Sequence, residues 1–200
     1  TATVAPSTAD ALVNALGGKG VSTDALTLNV VDDIVAGVVT ATDAADLVTL
    51  DGQTSVKVKV DATQISGSYD DLDKVYVTGK ANFSNLGNET VKITDTTVTA
   101  AQANTIANAT TGKVTATVTD TVTELLKITN AVSTDALTLT ATDATAAADK
   151  LNTLDGRTSV AVKVDATAVA GTYSDLSKVY VTNKANFASL GDETVTILGS

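Results

Sequence analysis

The 200 residues predict an α/β protein, a repetitive right-handed β/α solenoid with short parallel strands and helical or turn crossovers. Three observations lead there. The chain repeats itself over a long stretch, short segments alternate valine with polar residues at period two, and alanine-rich segments between them place apolar residues at helical spacing.

The duplication comes first because it fixes the plan. Val21 to Leu28 reads VSTDALTL and recurs unchanged from Val132 to Leu139, an offset of 111. Thr49 to Ile93 matches Thr153 to Ile197 with 32 identities in 45 ungapped positions, at an offset of 104. A seven-residue length difference therefore lies around Asn29 to Thr49. Residues 1–20 read as an N-terminal cap or the end of a preceding repeat. Residues 21–131 form a first long repeat and 132–200 a second, C-terminally truncated one, all within one continuous structural domain. The ends read as those of a segment excised from a longer chain, whose export signals would lie elsewhere.

Val56, Val58 and Val60 alternate with Lys57 and Lys59, which puts the valines on one face of a strand. Further strands are expected at Val75–Thr78, Thr90–Thr94, Lys113–Thr119 and Ala136–Thr142, and in the second copy at Ser159–Val164, Val179–Thr182 and Thr194–Ile197. Between strands, Thr99–Ala109 sets Ala100, Ala103, Ile106 and Ala107 on one helical face, with Thr97 or Thr99 as cap. Thr121–Ile128 is a second helix capped by Asp120. Ala144–Leu154 is a third, following Asp143, with Ala147, Ala148, Leu151 and Leu154 on its apolar surface. Ile65–Tyr69 and Asn82–Gly87 read as ordered turns. Strand, crossover, strand at this spacing favours parallel neighbours, since antiparallel hairpins need much shorter connections.

Composition narrows the chemistry. With no Cys and no His the chain holds no thiolate, disulfide, zinc finger or imidazole base. A net charge of -10 with 13 scattered Lys and Arg residues opposes a nucleic-acid partner. No stretch reads as a transmembrane span, so direct membrane insertion is not expected. No catalytic residue and no cofactor is assigned. Calcium is the one ion the composition leaves open, through Asp32 and Asp33, Asp43 and Asp46, and Asp70, Asp71 and Asp73. Solvated turns and helix caps explain the same carboxylates.

The repeated turns at Asp51-Gly52 and Asp155-Gly156 read as positive-φ glycine turns whose aspartates cap backbone donors. Ser22, Thr23 and Asp24 recur as Ser133, Thr134 and Asp135, without a base to complete a relay. Gly17-Gly18-Lys19-Gly20 is too short for a phosphate loop and reads as a turn. Tyr69, Tyr76, Tyr173, Tyr180, Phe83 and Phe187 read as packing residues. Thr115, Thr117 and Thr119, with Thr138, Thr140 and Thr142, form strand-face threonine ladders. These satisfy a sheet surface more readily than they make an ice-like array.

The duplicated VKVDAT and KVYVT segments, with TVTAAQANTI and KVTATVTD between them, resemble the Thr/Asp/Ala-rich repeats of very large secreted or cell-surface bacterial proteins. Repetitive cyanobacterial surface proteins and adhesin-like proteins are of this kind. The resemblance implies an extracellular or cell-surface location and a non-catalytic structural spacer or assembly module. The partners it implies are adjacent repeats of the same chain, a surface matrix, polysaccharide or self-association. The alternative is a calcium-dependent adhesion or glycan-binding module.

Overall fold

Segments too short to stand alone as strands are joined in parallel to partners 21 to 30 residues away. The computed structural model describes residues 1–129 and 135–199. It divides into two compact units, one of Thr1–Asp95 with Asn108–Lys113 and one of Thr96–Ala107 with Val114–Ser200. In the first unit Ala2–Thr3 pairs with Leu26–Thr27. A second ladder runs Asn29–Val30, Val58–Val60, Phe83–Ser84, and a third runs Thr42–Asp43, Gln64–Gly67, Thr90–Ile93. In the second unit the ladders are Val114–Asp120, Ala136–Ala141, Val162–Val164, Phe187–Ala188, and Thr145–Ala147, Ala168–Gly171, Thr194–Ile197. Only Asp33–Val35 and Val38–Thr40 pair antiparallel among the described strands. The architecture is thus a mixed parallel and antiparallel α/β fold of alternating strand and helix.

Alternation places the core as the sequence implies. Val58, Val60, Ile65 and Val91 are fully buried in the first unit, and Leu137, Leu139, Val162 and Val169 in the second. The helix Ala100–Ala107 buries Ala100, Ala103, Ile106 and Ala107, the four residues expected. Its cap is Thr99, whose hydroxyl accepts from the Gln102 amide while the Gln102 side chain accepts from the Thr99 amide.

Two strand expectations fail in the same way. Val75–Thr78 and Val179–Thr182 are helical, lying in π-helical turns Lys74–Thr78 and Lys178–Thr182 that continue the helices Tyr69–Asp73 and Tyr173–Ser177. Their β-branched residues favour strand, but the local start signal wins. Ser68 and Thr172 accept from the Asp71 and Asp175 amides, and Leu72, Val75 and Tyr76 at helical spacing fill the core. Ile65–Tyr69, expected as a turn, instead covers most of the strand Gln64–Gly67 and the start of the helix Tyr69–Asp73. Asn82–Gly87 contains the short strand Phe83–Ser84.

The remaining helices are shifted. Val122–Leu125 is capped by Thr121, not Asp120, and Ala148–Asp155 begins after a strand, Thr145–Ala147, with no side-chain cap. Asp120 and Asp143 act across the fold instead. Asp95, Asp120 and Asp143 accept the amides of Tyr69, Ala100 and Val122 at 2.6, 3.3 and 2.7 Å, each acid 20 to 26 residues beyond the helix start it serves. Aspartate is favoured there because helix N-termini carry unpaired donors and partial positive charge.

A three-residue clamp recurs and ties the segment before one strand to the start of an earlier one. The Thr54 hydroxyl donates to the Leu26 carbonyl at 2.7 Å, Ser55 donates amide and hydroxyl to the Asp24 carbonyl, and the Val56 amide returns to the Thr54 oxygen. Thr158, Ser159 and Val160 repeat this on Leu137 and Asp135, and Thr110, Thr111 and Gly112 repeat it on Glu89 and Gly87. All three threonines are buried. Thr54→Val, Thr110→Val and Thr158→Val are each expected to cost about 1–3 kcal/mol, since each strands an amide and a carbonyl, the carbonyl bond being part-buried at Leu26 and buried at Glu89 and Leu137. Urea unfolding checks this, with near-equal losses expected for the two duplicated sites.

The seven-residue length difference is a hairpin. Asp33–Val35 and Val38–Thr40 close through Ala36 and Gly37, at φ 53° and 81°, and the Thr40 hydroxyl donates to the Asp33 carboxylate at 2.9 Å. Ile34, Val35 and Val38 stand exposed on it. The second copy passes the same corner directly, from Ala141 to Thr145.

Candidate functional site

The duplication builds two equivalent open clefts, one in each unit. The first, of about 520 Å³, is lined by Asp51, Thr54, Ser55 and Asn82 together with Ser22 and Lys57. The second, of about 430 Å³, is lined by Asp155, Thr158, Ser159 and Asn186, with Ala161 where the first has Lys57. In each, the asparagine amide donates to the aspartate carboxylate, at 3.1 and 3.0 Å, which joins the end of one helix to a 3₁₀ turn 31 residues on. Gly52 and Gly156 have φ of -66° and -75°, so the expected positive-φ turn is not formed, and the aspartates receive side-chain donors in place of backbone ones.

These clefts offer hydroxyl, amide and carboxylate groups for hydrogen bonding to a polar ligand. In them the Ser55 and Ser159 hydroxyls donate to the Asp24 and Asp135 carbonyls at 3.0 and 2.9 Å. Asp24 accepts from the Val21 amide, and Asp135 is buried and accepts from the Val114 amide; Ser133 and Thr134 lie outside the described residues. Gly17 and Gly18 take the left-handed conformation at the end of the helix Ala9–Leu16, so the glycine segment is a helix stop.

The aspartates considered for calcium are scattered among separate tasks. Asp32 accepts the Thr63 amide at 2.6 Å, Asp33 the Thr40 hydroxyl and Asp43 the Ala45 amide at 2.9 Å each, and Asp71 the Ser68 hydroxyl at 2.8 Å. Burial, followed by the charges of Asp43 and Asp10, raises the Asp46 carboxyl above its ordinary range. Asp70 is exposed and Asp73 half-buried. Among the described residues no group of three or more acidic, His or Cys side chains could hold a metal ion. No described helix is long and apolar enough to cross a membrane.

The aromatics divide between the copies. Tyr76, Phe83 and Phe187 are buried, Tyr69 and Tyr180 half-buried, and Tyr173 is 74% exposed. The Tyr76 hydroxyl donates to the buried Glu89 carboxylate at 2.9 Å, and Tyr180 donates to Glu193 at 3.1 Å. Burial, reinforced by the glutamate, raises both phenols, Tyr180 to about 12. A raised phenol stabilises the fold fully below pH about 10 and loses that contribution as pH rises toward 12. Ultraviolet titration of phenolate should therefore show Tyr180 ionising near 12, a step that Tyr180→Phe removes, with stability falling over the same window.

Threonine pairs with threonine only briefly. Thr117 sits beside Thr138 and Thr119 beside Thr140, but Lys163 follows Thr140 on the next strand and Thr140 is buried. The ladder is two strands wide there. Comparison of the chain with protein-family models, curated proteins and solved structures finds no match.

Proposed function

We propose that the chain is a structural spacer or assembly module of a repetitive extracellular bacterial surface protein. Its strand and helix units follow one another in right-handed β/α coils, as a solenoid, and it catalyses no reaction. The observation that carries this reading is the clamp. The same three-residue arrangement ties the segment before one strand to the start of an earlier one at three places, and the Thr54, Ser55, Thr158 and Ser159 hydroxyls of the clefts are engaged in holding the fold. Adjacent repeats are the natural partners of such a unit. Surface protease treatment and fractionation of the natural full-length protein test the location; a purely cytoplasmic chain would overturn it. An experimental structure with left-handed crossovers would overturn the solenoid.

A second reading, a glycan-binding or calcium-dependent adhesion module, is favoured by the two matched polar clefts. Calorimetry with a glycan panel, with and without Ca²⁺, tests it. Saturable binding lost in the Asn82→Ala, Asn186→Ala double variant would support it, and no saturable binding would remove it.

A further inference from the structure

The two copies differ in the exposure of one surface. In the first copy Leu72, Tyr76, Val91 and Ile93 are at most 4% exposed. Their counterparts line an open apolar groove: Val195 is 47% and Ile197 64% exposed, with Tyr173, Leu176, Tyr180 and Val181 around them. The strand Thr194–Ile197 pairs along one edge with Ala168–Gly171, and all four of its residues are exposed.

The first copy shows which chemistry this edge accepts. Thr90–Ile93 pairs with Gln64–Gly67 on one side, and on the other the Val91 amide donates to the Lys113 carbonyl at 2.9 Å. Just before Lys113, the Thr110-Thr111-Gly112 clamp grips the Glu89 and Gly87 carbonyls. Gly112 approaches Glu89 so closely that no side chain fits there. Gly191 and Glu193 of the second copy repeat the gripped residues in sequence, and Asp192 replaces Asn88, adding a negative charge suited to a lysine-bearing segment.

We propose that the groove and free edge around Thr194–Ile197 dock a strand-forming segment of a neighbouring repeat. That segment carries a Thr-Thr-Gly-Lys clamp like that of residues 110–113. This deepens the assembly reading above by naming its surface and partner chemistry, and it rests on that reading for its biological setting only.

The probe is a synthetic peptide of residues 94–120, titrated into the intact chain while amide shifts and tyrosine quenching are followed. The expected result is saturable binding with shifts at residues 191–197 and shielding of Tyr173 and Tyr180. Val195→Lys with Ile197→Lys, both at exposed positions, should weaken it by about tenfold or more, as should Thr110→Val within the peptide. A second arm joins the same segment after Ile197, as it follows Ile93. It removes the entropy of association, and a raised Tm with Tyr180 shielded from quencher is expected.

No saturable binding together with an unchanged Tm in the fusion would overturn the proposal. Binding indifferent to the lysine variants would do so too. Concentration-dependent self-association of the chain alone through this face would assign it to a second copy instead and overturn the occupant named. None of these outcomes depends on where the natural protein resides, so a cytoplasmic location would fail the surface reading alone.

Discussion

Glu89→Ala is expected to destabilise the chain by about 3 kcal/mol, while Glu193→Ala at the equivalent position costs under about 1 kcal/mol. The Glu89 side chain is almost wholly buried and accepts from the Tyr76 hydroxyl and the Gly87 amide, each at 2.9 Å. Truncation leaves both donors without a partner in the interior. Each orphaned donor costs about 1–3 kcal/mol. Glu193 makes the same two bonds, to Tyr180 and Gly191, but is half-buried, so water replaces the lost carboxylate. Chemical denaturation of the two single variants measures the contrast, and equal losses would refute burial as the cause. Tyr76→Phe should be non-additive with Glu89→Ala, because the two changes remove one shared bond.

The second large effect is expected at Gly67 and Gly171. A Cβ placed on either would lie 2.7 Å from the Cβ of Ala44 or Ala148, the first residue of the helix packed across that strand. Ala44 and Ala148 are themselves fully buried, so neither can turn aside. Gly67→Val and Gly171→Val should each cost about 3 kcal/mol, with Gly67→Ala nearer 1 kcal/mol. The identical approach in both copies predicts equal losses. Replacing Ala44 by glycine in the Gly67→Ala background should recover part of the loss, and a thermodynamic cycle by denaturant melts reads that coupling.

Much of this fold is legible in the chain, and the illegible part has a physical reason. The parallel strands at Val58–Val60 and Val114–Asp120 and the helix Ala100–Ala107 follow from periodicity, because their buried faces are continuous in sequence. The helical KVYVT segments were hidden by Val75 and Val77. The signal that outweighs those residues is Ser68 three before Asp71, followed by Leu72, Val75 and Tyr76. The clamp leaves a weak trace, a threonine followed by serine or threonine, since its acceptors are backbone carbonyls 21 to 31 residues away. For the clefts, the repeated Asp51 and Asn82 were visible as residues. Their meeting across 31 positions was not.

The Asp33–Thr40 hairpin carries a lesson about tolerance. Its presence leaves the flanking registers as they are in the copy that lacks it: Val30 stays opposite Val60 as Ala141 does opposite Val164, and Thr42 opposite Ile65 as Ala146 does opposite Val169. Whatever length the chain spends at that corner is absorbed outward, at little entropic penalty for the closed ends. The bend between Ala141 and Thr145 is thus a natural grafting port, where foreign loops could be displayed without disturbing the scaffold beneath.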